Sequence, residues 1–358
     1  MVVSSEVNGG GRWTEAMVVA SLIAAQMVFG FNTVFLSGLL AGGLQPLFQI
    51  AAAGFFNAFL LLPCAILFER KNWPQKIGLH LIIRFVLIAV GGTPLYQVFM
   101  LLGVKKTTPA VATAMPNLAP GLIFIIASCL RIEKFDIKCK YTRYKVMGTV
   151  ICLSGAMAMS FLQGNSVKPA ASANLRSIFL REDLAINTSP NEWIIGCLYM
   201  LAAVVIISCV LVLQATTMEE FPAPISMTVI AAILGSFFSL IFQYILQGNI
   251  TSGVASLSLN VLITAVLAGG SVTSISSLVV TMSVHKKGPV FVSVFQPTQS
   301  FCAAILSALI LKQFISLGSL IGMGLMFVGL YVVLWAKIKE ADKEESRLIP
   351  DEERALLF

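Results

Sequence analysis

Charge is scarce in this sequence of 358 residues. Asp, Glu, Lys and Arg together make up 11% of the chain, whereas 57% of its residues are hydrophobic and the mean hydropathy is +0.89. In a soluble domain roughly a quarter of the residues are charged. The composition therefore excludes an ordinary soluble protein and indicates an integral membrane protein.

The residues that intramembrane enzymes use are scarce as well. His80 and His285 lie at the ends of apolar runs, and the sequence has no HExxH, no Gly-x-Ser-x-Gly and no pair of aspartates inside such a run. The seven cysteines show no CxxC spacing, so they predict neither a disulfide framework nor a metal site. Basic residues beside membrane spans explain the net charge of +7, and no nucleic-acid partner is expected. We expect no enzyme activity and no cofactor.

Long apolar runs dominate what is present. A helix needs about 20 mainly apolar residues to cross a hydrocarbon core of roughly 30 Å. Such runs lie near 16–38, 46–68, 79–102, 109–130, 145–162, 193–213, 224–246, 259–283, 289–310 and 317–337. The sequence predicts an all-α integral membrane protein with ten transmembrane helices.

The two halves of the chain repeat each other's unusual residues at a nearly constant separation. The matching positions are Pro46 with Pro224, Gly91-Gly92 with Gly269-Gly270, Pro109 with Pro289, Gly148 with Gly322, and Gly155 with Gly329. Because five spans is an odd number, the second copy enters the membrane from the opposite side. The prediction is two inverted five-helix repeats, an architecture typical of secondary transporters, with the substrate site between the repeats near the midplane.

This division predicts five regions. A tail covers 1–15, the repeats cover 16–162 and 193–337, a loop covers 163–192, and a second tail covers 338–358. Most of the 24 Lys and Arg residues flank the spans on the side of both tails, which predicts that both termini are cytoplasmic. The Asn-x-Ser/Thr sequons at Asn187 and Asn249 fall in loops on the other side.

Two mirrored stretches carry helix-weakening prolines and polar side chains inside apolar runs. They read TTPAVATAMPNLAP over 107–120 and KGPVFVSVFQPTQS over 287–300. An inner proline frees a backbone carbonyl, which membranes tolerate only beside protein or a water-lined cavity. In the first stretch Thr113 and Asn117 share a helical face, and in the second Ser293, Gln296 and Ser300 do. We interpret both faces as lining a central substrate cavity, although such hydroxyls can instead bond the preceding helical turn.

Other polar or small residues inside the apolar runs complete the candidate site. The full set of predicted substrate-binding residues is Gln26, Gly92, Tyr96, Thr113, Asn117, Gln214, Ser274, Ser293, Gln296 and Ser300. Gly148, Gly155, Gly322 and Gly329 are interpreted as helix-packing residues. No Asp or Glu lies near the middle of a run, which favours facilitated diffusion over proton coupling.

The cytoplasmic segments suggest further partners. The basic loop RIEKFDIKCKYTRYK is expected to contact lipid headgroups. In the C-terminal tail, EESRLI and EERALL each fit an acidic dileucine pattern. Such patterns can bind a sorting adaptor that directs a protein to a vacuole, and an inert tail is the alternative.

Several segments resemble one family. TTPAVATAMPNLAPGLIFIIASCLRIEKFDIK, KVMGTVICLSGAM, KGPVFVSVFQP and LGSLIGMGLMFVGLYVVLWAKIKE are similar to the plant nodulin-like, Walls-Are-Thin-related proteins, also called UMAMIT transporters, of the EamA drug/metabolite transporter superfamily. The resemblance implies ten spans in inverted EamA-type repeats and transport of amino acids or the auxin indole-3-acetate at plasma or vacuolar membranes. The family's LGE element reads LKQ here, with Gln313 in the acidic position, and LFQIAAAGFF lacks a basic residue common in the family.

The expected function is alternating-access transport of a small organic solute. A neutral or amide-bearing amino acid is the first choice, because the predicted lining has amides and hydroxyls without fixed charge. An auxin-like aromatic acid is the alternative, which a lining that includes Phe29, Tyr96 and Phe295 would suit. A membrane scaffold that transports nothing is the alternative of a different class.

Overall fold

The computed structural model describes residues 17–35, 45–73, 78–107, 115–130, 140–164, 190–248 and 259–311, with 321–322, 324–329, 331–333, 335–336 and 339 near the C-terminus. Within these residues all regular secondary structure is helical. The first five helices are α1 (Met17–Phe35), α2 (Pro46–Cys64), α3 (Leu79–Val104), α4 (Ala119–Cys129) and α5 (Lys140–Gly164). The others are α6 (Pro190–Glu220), α7 (Pro224–Gln247), α8 (Leu259–Lys287), α9 (Pro289–Ser293 and Gln296–Leu311) and α10 (within 321–339).

Six of the described helices are long and apolar enough to cross a membrane. They span Met17–Phe35, Pro46–Glu69, Leu79–Val104, Ile194–Glu220, Pro224–Gln247 and Leu262–Lys287. Each one overlaps an apolar run predicted from the sequence. The chain is thus an all-α, multi-pass membrane protein.

Prolines and glycines interrupt the helices where the sequence predicted weak points. A 3₁₀ turn, Met115–Leu118, precedes α4, and α9 is broken at Val294 and Phe295, just before Pro297. At this break Phe295 N–H donates to the Val292 carbonyl over 3.1 Å, a short-range bond in place of the regular helical one. The predicted break in α9 is confirmed. In α3, a π-helical turn forms at Gly91–Leu95 around Pro94.

Two antiparallel helix pairs hold the bundle together. Helix α2 packs along α7 and also contacts α8, while α3 packs on α6 and α7. Ion pairs join both ends of the α3–α6 pair. Arg84 Nη1 lies 3.0 Å from Glu220 Oε1, and Lys106 Nζ lies 3.4 Å from Glu192 Oε1. Arg84, which lies a few residues inside α3, therefore neutralises its charge at the polar end of a neighbouring helix.

Helices α5 and α10 approach each other through glycines. A Cβ atom at Gly148 would lie 2.9 Å from the Gly329 carbonyl oxygen, and one at Gly155 would lie 2.7 Å from the Gly322 carbonyl oxygen. Small residues allow membrane helices to pack backbone against backbone. The predicted packing role of these four glycines is confirmed.

The main apolar core lies where α4, α6, α7 and α9 meet. Ile123, Val204, Met227 and Phe295 are each at most 1% exposed there. On the outside, large apolar side chains such as Leu67 are exposed, as expected for a surface solvated by lipid tails.

Candidate functional site

A cavity of about 430 Å³ lies between α1, α2, α3, α6, α7, α8 and α9. Its polar lining side chains are Asn32, Gln49, Asn57, Thr93, Gln214, Thr228, Ser236, Thr273, Ser277, Thr281 and Gln296. Aromatic and aliphatic lining is supplied by Phe29, Ile50, Ile88, Ile207, Val210, Leu211 and Val280. Among the described residues, none that lines the cavity is Asp, Glu, Lys, Arg or His. The described part of the cavity wall is therefore uncharged and mainly apolar, with amide and hydroxyl groups set into it.

Helix α2 contributes a polar stripe to the cavity. Gln49, Ala53 and Asn57 are spaced four residues apart, so they share one helical face. Gln49 on this face contacts α8. Next to this face, Gly54 meets α7, where a Cβ at position 54 would overlap the Ser236 hydroxyl oxygen. The close crossing of α2 and α7 thus places polar groups from both halves of the chain on one wall.

Three of the six hydroxyl groups that line the cavity bond to their own helix. Thr228 donates to the Pro224 carbonyl over 2.8 Å, Thr273 donates to the Gly269 carbonyl over 2.7 Å, and Ser277 donates to the Ser274 carbonyl over 3.2 Å. Their oxygen atoms keep lone pairs that can accept further hydrogen bonds.

Two amide side chains in the cavity donate hydrogen bonds to defined acceptors. Gln49 Nε2 donates to the Ala265 carbonyl over 3.2 Å, and Gln214 Nε2 donates to Thr281 Oγ1 over 2.9 Å. Because a backbone carbonyl can only accept, the contact with Ala265 fixes which end of the Gln49 amide is nitrogen. The opposite end, Gln49 Oε1, must then be the oxygen that faces away from Ala265.

Three buried polar atoms of the α2–α7 wall have no hydrogen-bond partner in the described part of the chain. They are Gln49 Oε1, Asn57 Oδ1 and Ser236 Oγ, whose side chains belong to residues 2–4% exposed. An unpaired buried polar group costs about 1–3 kcal/mol.

Three predicted site residues line the cavity. These are Gly92 in the π-helical turn of α3, Gln214 in α6 and Gln296 at the start of the second segment of α9. Gln26, Tyr96, Asn117, Ser274, Ser293 and Ser300 lie outside its lining, and Thr113 falls outside the described residues. The substrate-binding role of all ten residues stays a prediction.

The described candidates outside the cavity lining have other surroundings. Ser274 donates to the Gly270 carbonyl over 2.6 Å and Ser293 to the Val290 carbonyl over 2.8 Å, which is the structural alternative considered for such hydroxyls. Gln26 and Asn117 are buried, with 3% and 7% exposure. Of the three aromatic candidates, Phe29 lines the cavity, whereas Tyr96 and Phe295 do not.

Sequence reasoning missed the amides of α1 and α2. Asn32, Gln49 and Asn57 are amides inside apolar runs, and the eight-residue spacing of Gln49 and Asn57 places both on one face of α2. That spacing was the available signal.

Glu69 forms a second polar centre, outside the cavity, where the end of α2 meets the start of α7. Its carboxylate accepts hydrogen bonds from Ile225 N–H over 2.9 Å, from Ser226 N–H over 2.7 Å and from Ser226 Oγ over 2.8 Å. Trp73 Nε1 also donates to Ser226 Oγ over 2.8 Å. A carboxylate at a helix N-terminus satisfies orphan N–H groups and is favoured by the helix dipole.

Amides occupy the corresponding place at the other end of the α2–α7 pair. Gln247 Nε2 donates to Gln45 Oε1 over 2.6 Å, and Gln243 Nε2 donates to Gln247 Oε1 over 2.9 Å. The two ends of this helix pair are thus joined by different chemistry, charged at Glu69 and neutral at Gln247.

Comparison with known proteins gives the family. The EamA-like transporter family matches residues 194–335. A WAT1-related protein of Arabidopsis thaliana is 40% identical over 332 residues, which cover 92% of this chain and 88% of the relative. Protein WALLS ARE THIN 1 of the same plant is 32% identical over 316 residues, covering 87% of this chain and 80% of the relative.

A solved crystal structure shares the fold. Its superposition has a TM-score of 0.66 at 17% sequence identity and covers 90% of this chain and 99% of that chain. The similarity to these relatives extends over most of the chain and is not confined to isolated motifs. On this evidence the chain belongs to the plant WAT1-related family of EamA-type membrane transporters.

Proposed function

We propose that this transporter carries small polar organic solutes, amino acids in the first place, by alternating access through the cavity between its halves. The observation that carries the proposal is the uncharged cavity of about 430 Å³, in which helices from both halves of the chain set amide and hydroxyl groups into a mainly apolar wall. Ligand pockets in proteins commonly measure about 300–1,000 Å³. An amino acid fits such a volume, and its polar groups match amide and hydroxyl side chains.

The proposed architecture is ten transmembrane helices in two inverted five-helix repeats, 16–162 and 193–337. Reciprocal contacts between α5 and α10 support it. Gly148 corresponds to Gly322 in the repeat and Gly155 to Gly329, yet Gly148 contacts Gly329 and Gly155 contacts Gly322. A two-fold axis requires this crossed pairing, because residue i meets the equivalent of j while j meets the equivalent of i.

Other helix contacts follow the same symmetry. Helix α2 contacts α8, and its counterpart α7 contacts α3. Helix α4 packs on α6, while the counterpart helices α9 and α1 meet where a Cβ at Gly30 would lie 2.8 Å from the Gln299 carbonyl oxygen. The EamA-like match, 194–335, also covers nearly the same residues as the second proposed repeat.

Facilitated, bidirectional diffusion is the proposed energetic mode. Proton-coupled transporters commonly use a membrane-embedded carboxylate as relay. In the described part of the cavity wall the polar groups are amides and hydroxyls, and the nearby carboxylate of Glu69 is engaged at the start of α7. The solute gradient then sets the direction of flux.

An aromatic acid such as indole-3-acetate is the second candidate substrate. Phe29 and the aliphatic side chains of α3, α6 and α8 give the cavity a large apolar surface, which suits an indole ring. A scaffold without transport activity is the third candidate, of a different class.

Purified full-length protein in proteoliposomes tests these candidates. Uptake and efflux of radiolabelled alanine, glutamine, phenylalanine and indole-3-acetate are measured with and without a pH gradient. We expect amino-acid flux in both directions that a pH gradient leaves unchanged. Flux of indole-3-acetate alone would replace the first candidate by the second, and vesicles tight to every solute would support the scaffold.

The proposal also covers the orientation of the protein, the membrane in which it lies and how it is sorted there. Both termini face the cytoplasm, the membrane is the plasma or the vacuolar membrane, and the basic segment before α5 contacts lipid headgroups. A sorting adaptor binds the dileucine patterns EESRLI and EERALL, which lie outside the described residues. Replacing both leucine pairs by alanine and imaging a fluorescent fusion in plant cells tests the adaptor's role.

A further inference from the structure

Helices α3 and α6 form an apolar wall of the cavity. Its aliphatic side chains are Ile88 from α3 and Ile207, Val210 and Leu211 from α6. Val210 and Leu211 lie three and four residues after Ile207, so the three α6 side chains share one helical face. Most amide and hydroxyl residues of the lining belong instead to α2, α7 and α8. The α3–α6 wall is therefore the part of the cavity that suits an apolar group of the solute.

A glycine leaves space in this wall. Gly92 lies in the π-helical turn Gly91–Leu95 and lines the cavity beside Val210. A Cβ atom at Gly92 would lie 3.4 Å from Val210 Cγ1, an ordinary van der Waals contact, and would meet no other described atom within 4 Å outside its own stretch of α3. The space over Gly92 therefore belongs to the cavity. Turns of this kind are rare and frequently occur at functional sites.

The neighbouring glycine has different surroundings. Gly91 is buried and lies outside the cavity lining. A Cβ atom at Gly91 would lie 2.7 Å from Val210 Cγ2, which is too close for two carbon atoms that are not bonded. Both glycines thus face the same valine, but only Gly92 borders the cavity. An added methyl group at Gly91 would disturb helix packing, whereas one at Gly92 would take up space in the cavity.

We propose that the α3–α6 wall binds the side chain of the transported amino acid, and that Gly92 sets the largest side chain that fits. The inference rests on the proposed function and names the substrate class as neutral amino acids with large apolar side chains, such as leucine and phenylalanine. An apolar wall stabilises such a side chain roughly in proportion to the area that it buries. Aliphatic groups offer no hydrogen bond to a charged or amide side chain, which loses its water when it binds there.

Flux of solutes that differ in side chain tests the inference. Full-length protein in proteoliposomes is assayed for uptake of radiolabelled alanine, leucine, phenylalanine, glutamine and indole-3-acetate. We expect the wild-type protein to carry leucine and phenylalanine faster than glutamine. Gly92→Ala should lower the ratio of phenylalanine flux to alanine flux at least about tenfold, because one methylene more or less in an apolar pocket changes discrimination by roughly this factor. The ratio does not depend on how much of the protein is folded.

Matched variants locate the effect. Gly91→Ala is the control, because it adds the same methyl group one residue earlier and outside the cavity lining. This variant should lower the melting temperature and leave the flux ratio unchanged. Val210→Ala removes the side chain that faces Gly92 and should raise the ratio. Gly92→Ala combined with Val210→Ala should restore most of the lost phenylalanine flux, because the second change returns the space that the first one fills.

Three results would overturn the inference and leave the proposed amino-acid transport standing. They are an unchanged flux ratio in Gly92→Ala, an equal fall of the ratio in Gly91→Ala, and faster flux of glutamine than of leucine through the wild-type protein. Flux of indole-3-acetate alone would refute amino-acid transport and, with it, the binding of an amino-acid side chain at this wall. Vesicles tight to all five solutes would overturn both proposals.

Discussion

At the scale of single residues, two amide side chains from the proline-containing stretches differ in position: one lines the cavity and the other does not. Gln296 lines the cavity, whereas Asn117, the amide in the mirrored stretch of the first half, is 7% exposed and lies outside the lining. An amide that contacts solute affects flux, while an amide that pairs within the protein affects stability, because its loss leaves a buried partner without a hydrogen bond.

Gln296→Leu and Asn117→Leu should therefore have different effects. We expect Gln296→Leu to reduce amino-acid flux about tenfold with little change in melting temperature, and Asn117→Leu to lower the melting temperature by several degrees, corresponding to about 1–3 kcal/mol. Flux in proteoliposomes and thermal unfolding in detergent measure the two effects. Normal flux through Gln296→Leu would remove this residue from the site.

At the scale of helices, the α2–α7 pair depends on Glu69. Its carboxylate accepts three hydrogen bonds from the first turn of α7, and Glu69 itself is 6% exposed. Glu69→Ala should destabilise the protein by about 1–3 kcal/mol, because buried N–H groups of α7 lose their acceptor. Chemical unfolding measures the change. Gln247→Ala, at the exposed opposite end, is the control and should cost less; equal costs would contradict the role assigned to Glu69.

Close packing of α5 on α10 gives a second prediction at this scale. Gly155→Val should destabilise the protein by about 1–3 kcal/mol, since even a Cβ atom would lie 2.6 Å from the Met326 backbone nitrogen. Gly324→Val is the matched control on α10, because a Cβ there meets nothing within 4 Å. Unfolding of both variants is compared in the same detergent. A neutral Gly155→Val variant would mean that these helices do not touch as described.

The sequence predicted the helix breaks, but it did not identify the amide side chains of α2 that line the cavity. Proline acts locally, so the interruption before Pro297 and the turn at Met115–Leu118 followed from the residues themselves. The position of Gln49 and Asn57 in the cavity wall depends on how α2 packs against other helices, which local sequence does not show. In lipid both the protein-facing and the lipid-facing sides of a helix are apolar, so hydrophobic periodicity does not show which face is buried.

At the scale of the whole molecule, the proposed inverted repeat makes a prediction about topology. An even number of spans places epitope tags at both termini on the cytoplasmic side, and it places cysteines introduced at Asn187 and Asn249 on the other side. Impermeant thiol labelling and tag digestion in sealed vesicles of defined orientation measure this. Tags protected on opposite faces would require an odd number of spans and would refute the repeat.

A duplicated transporter with equivalent ends would rest equally in its inward-facing and outward-facing forms. Here separation at one end breaks hydrogen bonds to the Glu69 carboxylate, and separation at the other breaks bonds between the Gln45 and Gln247 amides. Bonds to a charged group contribute about 1.5–3 kcal/mol and neutral ones about 0.5–1.5 kcal/mol. If the two proposed repeats separate alternately at these ends, we expect the resting population to favour the conformer that is open at the amide end. The Glu69 carboxylate would then give the proposed transporter a preferred resting orientation toward solute.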